Sequence, residues 1–184
     1  MNHGMNLENI SENKAVALLT ERLSLACGYN YTEAKTIGWA AKYHDIGKAF
    51  LPQELLLKPD KLLPYEFEII KQHTKYGEMI LSSIPGWRGK LASQVALLHH
   101  EWFNGKGYWG YPASRLPPFI GAVSLCDVYV ALASDRAYKK GWMPDDIADY
   151  IRSHADTQFC PHLVELFLSG VCECTWLNNS RDPG

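Results

Sequence analysis

The stretch AAKYHDIGKAF, residues 40–50, sets a histidine, an aspartate and a lysine among small and apolar residues. A helix that buries this segment also buries Asp45, and a buried carboxylate is costly unless a cation or hydrogen-bond donors compensate it. His44, Asp45 and Lys48 therefore require partners from elsewhere in the chain.

On both sides of this stretch the apolar residues recur with helical spacing, and no run alternates long enough to make a sheet. The pattern predicts an all-α fold, a single bundle of about six to eight helices over residues 1–170 with a partly disordered tail over 171–184. Upstream, a helix over roughly 7–27 carries Val16, Leu19 and Leu23 on related faces and ends at Gly28. Thr32 is the expected N-cap of the next helix, which runs to about Ile46 and is ended by Gly47. Downstream, Pro64 opens a helix reaching about Lys71, and a second short helix follows His73. GKLASQVALLHHE (89–101) makes a helix that ends at a double histidine, and FNGKGYWGYP (103–112) makes an exposed, shaped loop beside it. Residues 118–133 are helical around one acid, Asp127, and short helices follow at about 144–154 and 161–169.

With 184 residues, 47% of them hydrophobic, the chain is long enough for one core. Its 18 basic and 20 acidic residues give a formal charge of -2, which argues against sequence-independent binding to DNA or RNA duplexes or to a membrane surface. The five cysteines, Cys27, Cys126, Cys160, Cys172 and Cys174, are odd in number and form no CxxC pair. Neither a disulfide framework nor a thiolate zinc site is expected, and a reducing cytoplasm fits. No stretch has the length of a membrane span, and the first residues lack the apolar core of a signal peptide, so a soluble cytoplasmic protein is expected.

His44, Asp45, His73, His99, His100 and Asp127 each stand in or at the edge of a predicted helix and suit a divalent metal. Taken singly, each histidine also fits a satisfied core residue. Neighbours on a helix point about 100° apart, so a His-Asp or His-His pair can flank metal positions from two directions, with the carboxylate bridging. Paired metals about 3.5–4 Å apart are a recurrent device for phosphate-ester hydrolysis. Lys48, four residues after His44, projects from the same face and suits a phosphate oxygen or a leaving group.

In their order these segments resemble the HD-GYP domains of the HD phosphohydrolase superfamily. The resemblance lies in residues 40–81, with HDIGK, a KP-D-KL run and K-x-H-x-x-x-G; in LLHHEWFNGKGYWGYP (97–112); and in residues 125–151 and 157–168. It spans about residues 8–169. It implies that His44 and Asp45 are ligands with Asp45 bridging, that His73, His99 and His100 hold a second metal, and that Asp127 closes the first site. Lys48 would meet the scissile phosphate. The implied activity is hydrolysis of cyclic di-GMP, a bacterial second messenger, to linear pGpG or GMP with two or three iron or manganese ions. Related readings are a phosphohydrolase for another nucleotide and a non-hydrolytic cyclic-dinucleotide sensor. A diguanylate cyclase or a separate regulatory protein is the implied protein partner.

The chain departs from the family pattern at several places. Glu12 stands where an extra histidine ligand is usual, one turn after Glu8, at the position of a glutamate ligand in three-metal members; both carboxylates can face one site or stand solvated at a helix start. In the register set by His99 the GYP triplet reads Gly107-Tyr108-Trp109, while a literal Gly110-Tyr111-Pro112 follows. Val130 replaces a second acid after Asp127. Arg136, Lys139 and Lys140 match positions that reach substrate phosphates in the family. Aromatic residues of the loop, Tyr108 and Trp109 among them, offer faces for guanine stacking or pack the loop onto the domain.

Overall fold

The computed structural model describes residues 7–135 and 140–171, with side chains from residue 11 onward. The expected all-α fold is present: among the described residues there are eight α-helices and no strand, only an isolated bridge between Ala155 and Phe159. Helix α1 spans Leu7–Ala26, and Gly28 follows at φ +89, where the left-handed conformation lets Tyr29 N–H turn back to the Ser24 carbonyl. Helix α2 spans Tyr31–Ala41. Its N-cap is Asn30 rather than Thr32: the Asn30 side chain accepts the Glu33 N–H at 3.0 Å, and the Glu33 carboxylate accepts the Asn30 N–H at 3.0 Å. This reciprocal pair satisfies two otherwise unpaired donors.

Helix α2 ends five residues earlier than its apolar pattern predicts. His44 and Asp45 lie in a turn, and residues Ile46–Phe50 form a 3₁₀ turn. Gly47 does not end a helix but sits inside this turn, where a Cβ would clash with the His73 carbonyl and lie 2.5 Å from the Gly77 nitrogen. Backbone-to-backbone approach therefore fixes the His-Asp pair against the next long helix. That helix, α4, follows the four-residue α3 (Gln53–Leu56) and spans Pro64–Ser82 without a break at His73. Gly77 lies within it because the Ala96 side chain of α5 (Trp87–Leu98) packs there, so that a Cβ would fall 2.9 Å from the Ala96 Cβ.

Helix α6 (Pro118–Ala133) has the predicted bounds. Helices α7 (Pro144–Ser153) and α8 (Pro161–Leu166) follow, the last running into a π turn at Phe167–Val171. The core joins Val16 and Leu23 of α1, Ile37 of α2, Val95 of α5, Leu125 of α6 and Phe167, all buried. Helix α1 packs on α2 and α6, α5 packs on α2, α4 and α6, and the Ile46–Phe50 turn packs on α4, which sets the chain beyond the end of α2 against the middle of α4. Among the described residues no helix is long and apolar enough to cross a membrane. Arg136, Lys139, Cys172, Cys174 and the predicted tail beyond Val171 lie outside the described residues.

Candidate metal centre

The six side chains singled out in the sequence meet in one place. Donor atoms of Asp45, His73, His99 and His100 lie within 4.8 Å of one another, and so do those of His44, His99 and Asp127. The two groups share His99, and Asp45 links them through His44: its Oδ2 lies 3.4 Å from His44 Nε2, and its Oδ1 lies 3.3 Å from His73 Nε2. Asp127, from the middle of α6, brings Oδ1 to 3.3 Å from His44 Nε2. Residues distant in sequence converge because α4 presents His73 at its midpoint while α5 delivers His99 as its C-cap. Both dipeptides stand just beyond a helix end rather than within a helix, so a turn, not helical rotation, directs their side chains apart.

The backbone fixes the tautomers. Nδ1 of His44 lies 2.7 Å from the Ala41 carbonyl, Nδ1 of His73 lies 2.7 Å from the Ile70 carbonyl, and Nδ1 of His99 lies 3.0 Å from the Ala96 carbonyl. A carbonyl only accepts, so each Nδ1 carries the hydrogen, and in the neutral ring Nε2 is left as a lone pair. Nε2 of His73 and Nε2 of His99 face each other at 3.4 Å, and Asp45 Oδ1 lies 3.8 Å from His99 Nε2. Asp45 Oδ1 is buried and makes no hydrogen bond. Lone pairs thus face lone pairs around a common point, an arrangement that is repulsive by itself and becomes attractive with a cation at its centre. The mixed imidazole and carboxylate donor set fits a divalent cation.

Charge in the cluster is polarised the same way. Burial pushes His99 well below the usual imidazole range, with His100 and His44 adding to the effect. Burial also lowers His73, and it brings His100 down to about 3, against an opposing pull from Asp45. All three are neutral near pH 7 and keep their lone pairs. His44 differs: burial would lower it too, but the carboxylates of Asp45 and Asp127 outweigh burial and push it up to about 10. Burial raises Asp45, yet Lys48 and His44 hold its carboxyl well below the usual carboxylate range. The Lys48 ammonium is ion-paired with Asp45 Oδ2 while 42% of its side chain remains exposed, so it stands at the mouth of the cluster.

The remaining expected site residues divide. Tyr108 lies with its ring 4.4 Å from that of His100 at a 31° tilt, and burial together with the Asp45 and Asp127 charges raises its phenol to about 12. Trp109 turns away from the cluster: its indole N–H donates to Thr74 Oγ1 at 3.1 Å, and Lys75 Nζ sits 4.0 Å from the ring centre. Lys75 thus lies over one face of this half-buried ring, and the indole bond ties the loop to α4. Glu12 is half-buried on α1, outside both donor groups; Glu8 is on the same helix, at a position whose side chain is not described. Lys140 is exposed. Sequence reasoning missed Glu101, which is 2% exposed and accepts the Trp109 N–H at 2.6 Å and the Tyr111 N–H at 2.9 Å. Its signal was available: an acid directly after the double histidine, at the entry to a glycine-rich loop.

Comparison with known proteins agrees with this geometry. The chain is 35% identical over 154 residues to the 3'3'-cGAMP-specific phosphodiesterase 2 of Vibrio cholerae serotype O1, covering 83% of this chain and 30% of that protein. It is 35% identical over 170 residues to the cyclic di-GMP phosphodiesterase of Thermotoga maritima, covering 92% of this chain and 46% of the relative. The chain thus spans less than half the length of these relatives. In fold it is similar to Bd1817, an HDG"Y"P protein from Bdellovibrio bacteriovorus, with a TM-score of 0.70 at 18% identity over 88% of this chain and 53% of that one. The family model described as "HD domain" matches residues 5–163. A match that runs across the helical body and takes in all six converging side chains makes this chain a member of the HD domain family.

Proposed function

We propose that the chain is a metal-dependent phosphodiesterase that hydrolyses cyclic di-GMP to linear pGpG, GMP or both. The observation that carries the reading is the inward-facing set of lone pairs around Asp45, whose buried Oδ1 makes no hydrogen bond. In this reading Asp45, His73, His99 and His100 would hold one cation, and His44, Asp127 and Asp45 would hold a second. Iron and manganese suit this donor set, and a third ion would draw on Glu8 and Glu12. Cations bound here supply Lewis-acid polarisation of a phosphate oxygen and lower the pKa of water.

The chain's own residues do the rest. The three backbone-tethered imidazoles keep their direction without reorganising when substrate arrives, which is how a preorganised site lowers a barrier. Lys48, ion-paired with Asp45, would exchange that carboxylate for a phosphate oxygen and stabilise charge developing on the leaving oxygen. Lys140, with Arg136 and Lys139, is assigned to the outer phosphate, and Tyr108 to the wall of the substrate mouth.

The test is incubation of manganese- or iron-loaded protein with cyclic di-GMP, with products separated by chromatography. Linear product is expected. Binding without product would instead support a non-hydrolytic sensor. A parallel incubation with 3'3'-cGAMP checks a second substrate, which the 35% identical relative of that specificity favours. Faster turnover of 3'3'-cGAMP would reassign the preferred cyclic dinucleotide.

A further inference from the structure

The loop from Glu101 to Pro112 is tied near its start by the Phe103 and Asn104 N–H groups, which donate to the Gln158 and Thr157 carbonyls, and its second half is held by two side chains. The Glu101 carboxylate accepts the backbone N–H groups of Trp109 and Tyr111, and the Trp109 indole donates to Thr74, a fully buried residue of α4 that directly follows His73. The Gly107 backbone lies so close to Glu101 that a Cβ would meet His100 O at 2.6 Å. Tyr108 sits between these anchors, and its own N–H donates to the His100 carbonyl at 3.3 Å.

His100 is the cluster histidine that depends on this arrangement. His44, His73 and His99 each tie Nδ1 to a carbonyl, whereas among the described residues the His100 ring makes no hydrogen bond. Its direction is set by neighbouring rings: His99 at 4.1 Å and Tyr108 at 4.4 Å on its faces, with His73 edge-on at 5.3 Å. A proline at 109, which the GYP register calls for, has neither an N–H for Glu101 nor an indole for Thr74. The variant tryptophan therefore supplies two of the three side-chain bonds that hold this part of the loop.

We infer that Glu101 and Trp109 are positioning residues which lock the loop to α4 and, through the Tyr108 ring, hold His100 aimed into the donor cluster. The inference rests on the metal reading of that cluster, and the experiment separates the two. Cobalt(II) is titrated into the metal-free protein and followed by its visible d–d absorption, while amide hydrogen exchange reports on residues 108–111. Glu101→Gln, folded by circular dichroism, should speed exchange at Trp109 and Tyr111 and weaken cobalt binding roughly tenfold. In a His100→Ala background the same change should leave cobalt affinity where His100→Ala alone puts it, an outcome that general destabilisation would not give.

Equal cobalt affinity in wild type and Glu101→Gln overturns the inference, as does an additive loss in the double variant. No cobalt uptake by wild type removes the metal reading and this inference with it. Should Glu101→Gln not fold, Trp109→Phe keeps the N–H to Glu101 and loses only the indole bond. Faster exchange and weaker cobalt binding are again expected, and no change in either overturns the lock.

Discussion

His44 differs from the other three imidazoles because two carboxylates face its Nε2. Asp45 and Asp127 raise it to about 10, so in the cation-free protein it carries a proton at neutral pH, and a cation must displace that proton to use the lone pair. His73, His99 and His100 are all lowered and have no proton to give up near pH 7. Metal uptake by the half of the site containing His44 and Asp127 should therefore strengthen as pH rises toward 10, while the other half stays nearly flat. Calorimetric titration of manganese at pH 7.5 in buffers of different ionisation enthalpy should count about one proton released, and His44→Ala should abolish that release. Release of no proton by wild type would contradict the assignment. The sign for stability follows from the same shift. A raised histidine stabilises the cation-free fold fully below its unfolded value of 6.5 and ceases to do so as pH rises through about 10, so in chelator the thermal midpoint should fall as pH rises from 6.5 to about 10.

The His-Asp pair depends on how closely the Ile46–Phe50 turn approaches α4, and that closeness depends on glycine. A Cβ at Gly47 would overlap the His73 carbonyl region and sit 2.5 Å from the Gly77 nitrogen, both of which are backbone and cannot rotate aside. Gly47→Ala should cost about 2–3 kcal/mol in urea unfolding and lower bound metal, because the turn must move off the helix that carries His73. Unchanged stability together with full metal content would mean that this backbone contact does not hold the His-Asp pair in place. The same contact explains what could be read in advance. The apolar period and Pro118 fixed α6 at Pro118–Ala133, and Pro64 marked the start of α4. The end of α2 was not legible, because apolar spacing continues through AAKYH while the chain turns to meet α4, a tertiary demand with no local signal. The continuity of α4 past His73 was not legible either; within it Gly77 admits the Ala96 side chain of α5.

Across the molecule, the donors span residues 44–127 and come from the ends of α2 and α5 and the middles of α4 and α6. As candidates they were legible from their chemistry, imidazoles and carboxylates set among apolar residues, and the order of the motifs, by its resemblance to a known family, grouped them. Their tautomers were not, since those depend on carbonyls one turn back, nor was the fate of Trp109, which depends on Thr74 across the loop. A cation bound at this junction acts as a cross-link between four helices that the unfolded chain cannot reproduce, so binding adds directly to folding stability. With free manganese at 100 times its dissociation constant, the added stability is about 2.7 kcal/mol, which corresponds to roughly 5–10 °C in the thermal midpoint for a chain of this size. Asp45→Ala should cancel that gain altogether, because it removes the carboxylate that links the two groups, whereas Asp127→Ala removes a ligand of one group only and should leave part of it. Calorimetric scans of wild type and both variants, with manganese and with chelator, make the comparison. A wild-type midpoint unmoved by manganese, or an Asp45→Ala midpoint that rises as far as wild type, would mean that the convergence of these side chains does not bind the ion.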